Sequence, residues 1–165
     1  MSKSEESLKQ AFAGESQANR KYLAFAQAAD KEGYTQAARL FRAAAEAETV
    51  HAVNHLKALK GIKTTRENLQ EAIGGETHEF TSMYPEMIKI AQAEGNKEAL
   101  KSFDYANQVE KIHANLYDKV SKSLGQKKDL VVYYVCPVCG NTVENGAPDI
   151  CPICNTKGSL FKKIE

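Results

Sequence analysis

The sequence predicts a mainly α-helical protein in which a four-helix bundle is followed by a small β-containing domain with two cysteine knuckles. Three observations lead to this fold class. Residues 4–124 are rich in Ala, Glu, Lys, Gln and Leu, with apolar residues recurring at three- and four-residue spacing. This region also contains an internal repeat. All four cysteines lie within the last 30 residues as two CxxC pairs.

Breaks in the helical pattern set the predicted elements. Glycines at 33, 61 and 95 divide the region into helices near 4–32, 35–60, 65–94 and 96–124. Thr64-Thr65-Arg66-Glu67 fits a capping box at the start of the third helix. After a polar stretch the composition changes to Val, Tyr, Pro, Cys and Gly, with a β-rich segment at 131–135. We therefore expect a bundle at 1–125, a linker at 126–132 and a second domain at 133–165.

Composition and charge argue against several classes of function. The chain has 165 residues, of which 42% are hydrophobic and 26% charged, which is typical of globular proteins. Its net charge of +1 gives no electrostatic reason to expect nucleic acid or a membrane surface as a partner. Because no long apolar run and no secretory signal are present, we expect a soluble cytoplasmic protein. In that reducing compartment the cysteines are expected to bind metal rather than form disulfides.

The internal repeat has an offset of 61 residues at first and 62 later. Glu15 returns as Glu76, whereas the Glu48-x-x-His51 pair returns as Glu110-x-x-His113. One extra residue must therefore enter the third helix between positions 76 and 94, an interval that contains Pro85. We expect a π-bulge or a kink there.

The repeated acids and histidines predict a dinuclear metal site. Residues three apart on a helix share one face, so each Glu-x-x-His pair can bind one metal centre. One Glu from each of two helices, together with Glu-x-x-His from each of two others, is the ligand pattern of di-iron bundles. Solvated helix faces are the alternative interpretation, but they do not explain two pairs in register. Carboxylates that bridge two ions favour iron, or manganese, over zinc. The predicted ligands are Glu15, Glu48, His51, Glu76, Glu110 and His113.

Three other residues are candidates for the same site. Glu79 lies one turn after Glu76, and the matching position in the first half is Ala18, so Glu79 can supply a seventh ligand that breaks the symmetry. Tyr22 and Tyr84 follow Glu15 and Glu76 by about two turns and could donate hydrogen bonds to iron-bound oxygen, although tyrosines at helical spacing often only fill a core. For His55 and His78 a surface or supporting role is favoured.

The two cysteine pairs predict a tetrahedral four-thiolate site. Cys136-Pro137-Val138-Cys139 and Cys151-Pro152-Ile153-Cys154 are separated by 11 residues. Such knuckles bind zinc or a single iron ion, and their spacing does not distinguish the two metals. A structural zinc ribbon is therefore one alternative. We favour iron because a redox-active bundle needs electrons that a thiolate-bound iron can relay.

These motifs together resemble the rubrerythrin family over essentially the whole chain. The resemblance rests on the segment 12–18, both Glu-x-x-His pairs, Gly75-Glu76-x-x-Glu79 with Met83-Tyr84-Pro85, and both knuckles. It implies a ferritin-like di-iron bundle with a rubredoxin-like domain that holds one iron. It also implies Glu48 and Glu110 as bridging ligands, Glu15 and Glu76 as terminal ligands, and His113 as a fixed ligand. Glu79 and His51 would exchange at the other iron with its oxidation state.

The activity that the resemblance implies is peroxidase. Hydrogen peroxide would be reduced to water in oxidative-stress defence in an anaerobe or microaerophile. Electrons would come from NAD(P)H through a reductase, with or without a separate rubredoxin, and then through the four-cysteine iron. An iron-handling ferroxidase is the alternative, and a zinc-ribbon module on a structural bundle is a third. The chain departs from the family at Asn141, where an aromatic residue is common, and at Asn155, where Gly is usual. Asn tolerates the left-handed backbone that a knuckle requires, but the potential of the iron could be shifted.

The short connection between the second and third helices predicts a dimer. Residues 61–64 span at most roughly 15 Å, too little for the lengthwise crossover of a ferritin-like bundle. A domain-swapped homodimer removes this conflict, since helices one and two of one chain would pair with helices three and four of the other. The arrangement resembles a short-loop subset of the family.

Overall fold

The structure is a computed structural model that describes residues 2–127 and 130–164. Lys128 and Asp129 of the predicted linker lie outside the described residues. Packing divides the chain into two compact units, Met1–Lys63 and Thr64–Glu165. The domain boundaries at 125 and 133 stay a prediction.

The first unit is a helical hairpin of α1 (Lys3–Lys31) and α2 (Thr35–Ala58). A capping box between Ser2 and Glu5 starts α1. The buried seam of α2 consists of Ala38, Ala45 and Ala52. Because these alanines recur every seven residues, they form one stripe whose small side chains let the two helices approach closely. The helix α2 ends two residues earlier than predicted.

The helical part of the second unit comprises α3 (Thr65–His78), a π-helical segment (Glu79–Met83), α4 (Tyr84–Glu94) and α5 (Lys97–Ser123). The capping box between Thr64 and Glu67 is present, as predicted. The expected π-bulge is also confirmed, and it lies where the repeat offset requires an extra residue. Pro85 falls in the first turn of α4, directly after the π-helical segment. Among the described residues, no helix combines the length and apolar character that a membrane span requires.

A small antiparallel sheet forms the rest of the second unit. Its strands β1 (Tyr133–Val135), β2 (Thr142–Glu144) and β3 (Lys162–Ile164) lie in the order β2-β1-β3. Tyr133 pairs with Glu144 on one side and with Ile164 on the other. The core below the sheet is centred on Cys136, Cys151 and Phe161. It is too small to stabilise a domain by apolar burial alone, which is typical of folds organised around a metal.

Candidate metal centres

The first cluster of ligand groups lies in the helical hairpin. Glu15 on α1 and Glu48 and His51 on α2 bring one ligand atom each to within 4.8 Å of one another. Nδ1 of His51 lies 2.8 Å from Oε2 of Glu48 and 3.9 Å from Oε1 of Glu15. We call this cluster half-site 1. The helical i,i+3 spacing positions the Glu48 and His51 side chains on one face, and the packing of α1 on α2 adds Glu15.

The second cluster repeats this geometry in the second unit. Glu76 on α3 and Glu110 and His113 on α5 again place their ligand atoms within 4.8 Å of one another. Nδ1 of His113 lies 2.8 Å from Glu110 and 3.9 Å from Glu76, the same two distances as in half-site 1. We call this cluster half-site 2. The repeat seen in the sequence is therefore also a repeat of side-chain geometry.

The electrostatics of half-site 2 favour the binding of a cation. Burial raises the pKa of Glu76 above its ordinary value, and the charge of Glu110 raises it further. Burial and then the charge of Glu76 likewise raise the pKa of Glu79. Burial and mutual repulsion both disfavour the negative charges of these neighbouring carboxylates. A bound metal ion would supply the missing positive charge.

The four cysteines form a third cluster, inside the small domain. Their ligand atoms all lie within 4.8 Å of one another. Sγ of Cys136 is 3.5 Å from that of Cys154, and Sγ of Cys139 is 3.6 Å from that of Cys151. Four thiolates at about 2.3 Å from a central ion would be separated by about 3.8 Å along each edge of a tetrahedron. The distances are near that value and far longer than a disulfide bond, so the site fits one tetrahedral ion.

The two knuckles share one backbone conformation. Gly140 and Asn155 follow the second cysteine of each pair and have φ angles of +82° and +61°. Each donates its N–H to the carbonyl of the first cysteine of its pair, at 3.0 Å in both knuckles. The expectation that Asn155 adopts a left-handed backbone is confirmed. Asn155 therefore adopts at the second knuckle the same left-handed backbone that Gly140 adopts at the first.

Comparisons with known proteins identify the family. A family model described as Rubrerythrin matches residues 6–121, and one described as Rubrerythrin, rubredoxin-like domain matches residues 134–162. The chain is 37% identical to Rubrerythrin-2 of Clostridium acetobutylicum over 94% of its own length and 93% of the relative's. It is 36% identical to nigerythrin of Nitratidesulfovibrio vulgaris over 90% of its length and 80% of the relative's. The chain belongs to the rubrerythrin family.

Solved structures agree with this assignment. A mixed-valence structure of nigerythrin matches with a TM-score of 0.59 at 34% identity, covering 99% of this chain and 88% of the other. A structure of fully reduced nigerythrin, described as all ferrous, matches at 33% identity with the same TM-score. The predicted fold class, a ferritin-like bundle followed by a rubredoxin-like domain, is confirmed.

The donor sets suit the metals of this family. Rubrerythrins are oxidoreductases with a di-iron site and a rubredoxin-like four-cysteine site, and this chain has residues for both. The two half-sites offer four carboxylates and two imidazoles, which suit a pair of iron ions. The four thiolates suit a single iron. The predicted cofactors therefore fit the residues present.

Glu79 and Tyr84 lie close to half-site 2, and Tyr22 occupies the position that matches Tyr84 in the first half of the repeat. Glu79 is the first residue of the π-helical segment and lies outside the three-group cluster of half-site 2. Burial raises the pKa of Tyr84, and the charges of Glu79, Glu110 and Glu76 raise it further, which places its hydroxyl within the field of half-site 2. The ring of Tyr84 packs 6.3 Å from Phe103, as Tyr22 packs 6.3 Å from Phe41. The functional roles of all three stay predictions.

Hydrogen bonds from neighbouring side chains reach the sulfur atoms of Cys154 and Cys151. Burial opposes ionisation of Cys154, but hydrogen bonds from the side chain and backbone of Thr156 outweigh it and lower the pKa of this thiol to about 6. Burial raises the pKa of Cys139. Asn141 is 1% exposed and directs Nδ2 at Sγ of Cys151, 3.7 Å away. The residue that departs from the family pattern therefore contacts a predicted metal ligand.

Sequence interpretation missed Thr142 and Thr156. Thr142 contacts His113 and Thr156 contacts Cys154, at 2.9 Å and 3.1 Å. Nothing in the spacing of the motifs points to Thr142, because its partner lies 29 residues away. Thr156 lies two residues after Cys154, so its position in the sequence could have marked it as a hydrogen-bond partner of that cysteine. Neither His55 nor His78 belongs to a cluster of ligand groups among the described residues.

Proposed function

We propose that this protein is a peroxidase that reduces hydrogen peroxide to two waters in oxidative-stress defence. The reaction cleaves the O–O bond and consumes two electrons and two protons. A pair of iron ions would supply both electrons, one from each ion, so that no radical is released. The observation that carries the proposal is that one chain combines two matched half-sites with a four-thiolate site.

The ligand roles that we propose are those that the resemblance to the rubrerythrin family implies. Glu48 and Glu110 lie beside the histidines and would serve as bridging carboxylates, whereas Glu15 and Glu76 come from the neighbouring helices and would serve as terminal ligands. Support comes from the equal distances in the two half-sites, 2.8 Å to the first kind of carboxylate and 3.9 Å to the second. His113 is the fixed imidazole of half-site 2.

Glu79 and His51 are proposed to exchange at one metal as its charge changes. Glu79 begins the π-helical segment, a type of helical distortion often found at functional sites. The side chain of His51 is 54% exposed, so it has room to move. A carboxylate favours the more highly charged oxidised metal, and a neutral imidazole suits the reduced metal. This agrees with what the resemblance to the family implies, in which Glu79 would bind in the oxidised state and His51 in the reduced state.

Tyr84 and Tyr22 are proposed to donate hydrogen bonds to the bound peroxide. The raised pKa of Tyr84 supports this role, because it keeps the proton on Oη even at alkaline pH. A protonated hydroxyl beside the site can orient an oxygen of the substrate and assist its protonation. The matching position of Tyr22 in the repeat is the argument for a second donor.

Electrons are proposed to reach the half-sites through the four-cysteine iron. A single iron ion held by four thiolates changes charge by one unit without a change of ligands, which suits electron transfer. NAD(P)H, acting through a reductase with or without a separate rubredoxin, is the proposed source. A cytoplasmic location is proposed because that compartment supplies NAD(P)H and keeps thiols reduced.

A domain-swapped homodimer is proposed as the assembly. Residues 59–64 connect α2 to α3 and span at most about 25 Å when fully extended. The helix α2 has 24 residues and is about 36 Å long. The connection is therefore too short to run back along the bundle, although it is longer than the sequence predicted. Exchange of helical hairpins between two chains removes that requirement.

One experiment tests the proposed reaction. The protein is purified without oxygen, its iron and zinc are counted, and one equivalent of hydrogen peroxide is added to the reduced form. About three irons per chain and rapid oxidation by peroxide are expected. Two results together would contradict the proposal: zinc in the cysteine site, and metal at the two half-sites that peroxide does not oxidise. They would favour iron handling or a structural role.

A further inference from the structure

Two contacts flank a direct hydrogen bond between α5 and the small domain. On one side, Cγ1 of Val109 packs against Gly140, 3.7 Å from the position that a Cβ would take there. On the other side, Lys119 forms an ion pair with Glu144. Between them, Nε2 of His113 lies 2.9 Å from Oγ1 of Thr142. The small domain thus contacts a ligand of half-site 2 at its outer nitrogen.

The proton on the Thr142 hydroxyl determines the direction of this hydrogen bond. Oγ1 also lies 3.0 Å from the carbonyl oxygen of Gly140, which can only accept. The single hydroxyl proton therefore goes to Gly140, and Oγ1 accepts from Nε2–H of His113. Nδ1 lies 2.8 Å from Oε2 of Glu110, and because a carboxylate accepts, Nδ1 donates a proton there in the absence of a metal. A metal ion at Nδ1 would take the place of that proton and leave the neutral imidazole protonated at Nε2 alone, where Thr142 accepts. This is the tautomer that a metal ion requires at Nδ1.

His51 lacks such an anchor within its own unit. Its Nδ1 makes the same two contacts as that of His113, but among the described residues of the first unit we find a hydrogen-bond partner only at Nδ1. Its side chain is 54% exposed, against 27% for His113. The two imidazoles therefore make the same contacts at Nδ1 but differ in their contacts at Nε2.

We propose that Thr142 is a positioning residue that fixes the tautomer and orientation of His113 for metal binding. The proposal explains why His113 rather than His51 would be the fixed ligand. It rests on half-site 2 being a metal site and not on the peroxidase reaction. A Thr142 hydroxyl that is itself oriented by Gly140 restrains the ring better than water would, because both of its hydrogen bonds have fixed partners.

The same hydrogen bonds connect the two kinds of centre within one chain. Gly140 follows Cys139 directly, its carbonyl accepts from Thr142, and Thr142 accepts from His113. A continuous covalent and hydrogen-bonded connection therefore runs from a thiolate ligand to an imidazole ligand. An adjoining pocket of about 380 Å³ is lined largely by apolar side chains, including Leu69, Leu116 and Val120.

Nuclear magnetic resonance of the zinc-loaded full chain tests the proposal directly. The chain has four histidines, so ¹⁵N-histidine labelling gives a spectrum that can be assigned with single His→Gln variants. In the unmodified protein, we expect His113 to carry its proton at Nε2, with slow exchange against water and a nuclear Overhauser contact to Thr142. A proton at Nδ1, or no contact to Thr142, would overturn the proposal, and this measurement needs no Thr142 variant.

Variants then test the consequence for metal binding. Thr142→Val keeps the shape of the side chain but removes the hydroxyl, and we expect zinc affinity at half-site 2 to fall about 10- to 100-fold. Thr142→Ser should restore both the affinity and the protected Nε2–H. Ser123→Ala is the matched control, since it removes an α5 hydroxyl that bonds the carbonyls of Lys119 and Val120. Unchanged affinity and an unchanged Nε2–H signal in Thr142→Val would refute the role of Thr142.

Discussion

Nδ2 of Asn141 lies 3.7 Å from Sγ of Cys151, and the Asn141 side chain is almost fully buried. A hydrogen bond to a thiolate ligand stabilises the reduced, more negative form of a four-thiolate iron site. Asn141 therefore raises the reduction potential of the iron that this site is predicted to hold. The departure from the family's aromatic residue thus has a direct electrostatic consequence.

Replacing Asn141 by Leu should lower that reduction potential. The side chains are similar in size, so the main loss is the N–H···S hydrogen bond. A decrease of tens of millivolts is expected, because about 59 mV corresponds to a tenfold change in a one-electron equilibrium. Spectroelectrochemical titration of the thiolate-to-iron absorption measures it. Asn155→Gly keeps the left-handed backbone and serves as the control with an unchanged potential. An equal or higher potential in Asn141→Leu would contradict the assignment.

Thr156→Val should raise the pKa of Cys154 in the metal-free protein. With a pKa of about 6, Cys154 is mainly a thiolate above pH 6. Burial raises this pKa, but the hydrogen bonds from Thr156 outweigh that effect. Without the hydroxyl the backbone hydrogen bond remains, so the pKa should move part of the way toward its ordinary value. Ultraviolet thiolate absorbance near pH 7 should then decrease. Thr156→Ser should behave like the original protein, and a titration curve that does not move to higher pH in Thr156→Val would rule out this role.

Tyr84→Phe should slow the oxidation of the reduced half-sites by peroxide about 10- to 100-fold, the cost of one hydrogen bond to a charged group. Iron content should stay the same, because Tyr84 is not one of the predicted metal ligands. Stopped-flow spectroscopy with one equivalent of peroxide measures the rate. Tyr34→Phe removes the hydroxyl of an exposed tyrosine at the start of α2 and is the control. Equal rates for the two variants would remove Tyr84 from the mechanism.

Co-expression of Glu48→Ala and Glu110→Ala chains tests the swapped dimer. In a swapped heterodimer one site combines the two altered hairpins and the other combines the two intact hairpins. One peroxide-reactive site per heterodimer is therefore expected, whereas an unswapped heterodimer has none. Two different affinity tags allow the heterodimer to be isolated. The double variant Glu48→Ala/Glu110→Ala provides the blank, and a heterodimer no more reactive than this blank would exclude the exchange.

The sequence alone determined the helices, the π-bulge and the sets of residues that cluster. These features depend on local rules. Helix ends follow from glycines and capping residues, ligands one turn apart share a face, and an offset that changes from 61 to 62 requires one extra residue in a helix. The left-handed backbone of Asn155 could also be anticipated, because a knuckle repeats the geometry of its partner.

Only the tertiary structure decided which side chains support the ligands. Thr142 and His113 are 29 residues apart, and no periodic pattern relates a strand residue to a position on α5. Asn141 could be recognised as unusual in the sequence, but its hydrogen bond to Cys151 depends on how the second knuckle folds back onto the first. A hydroxyl or an amide can bond to many partners, and close packing over long sequence separations selects one of them.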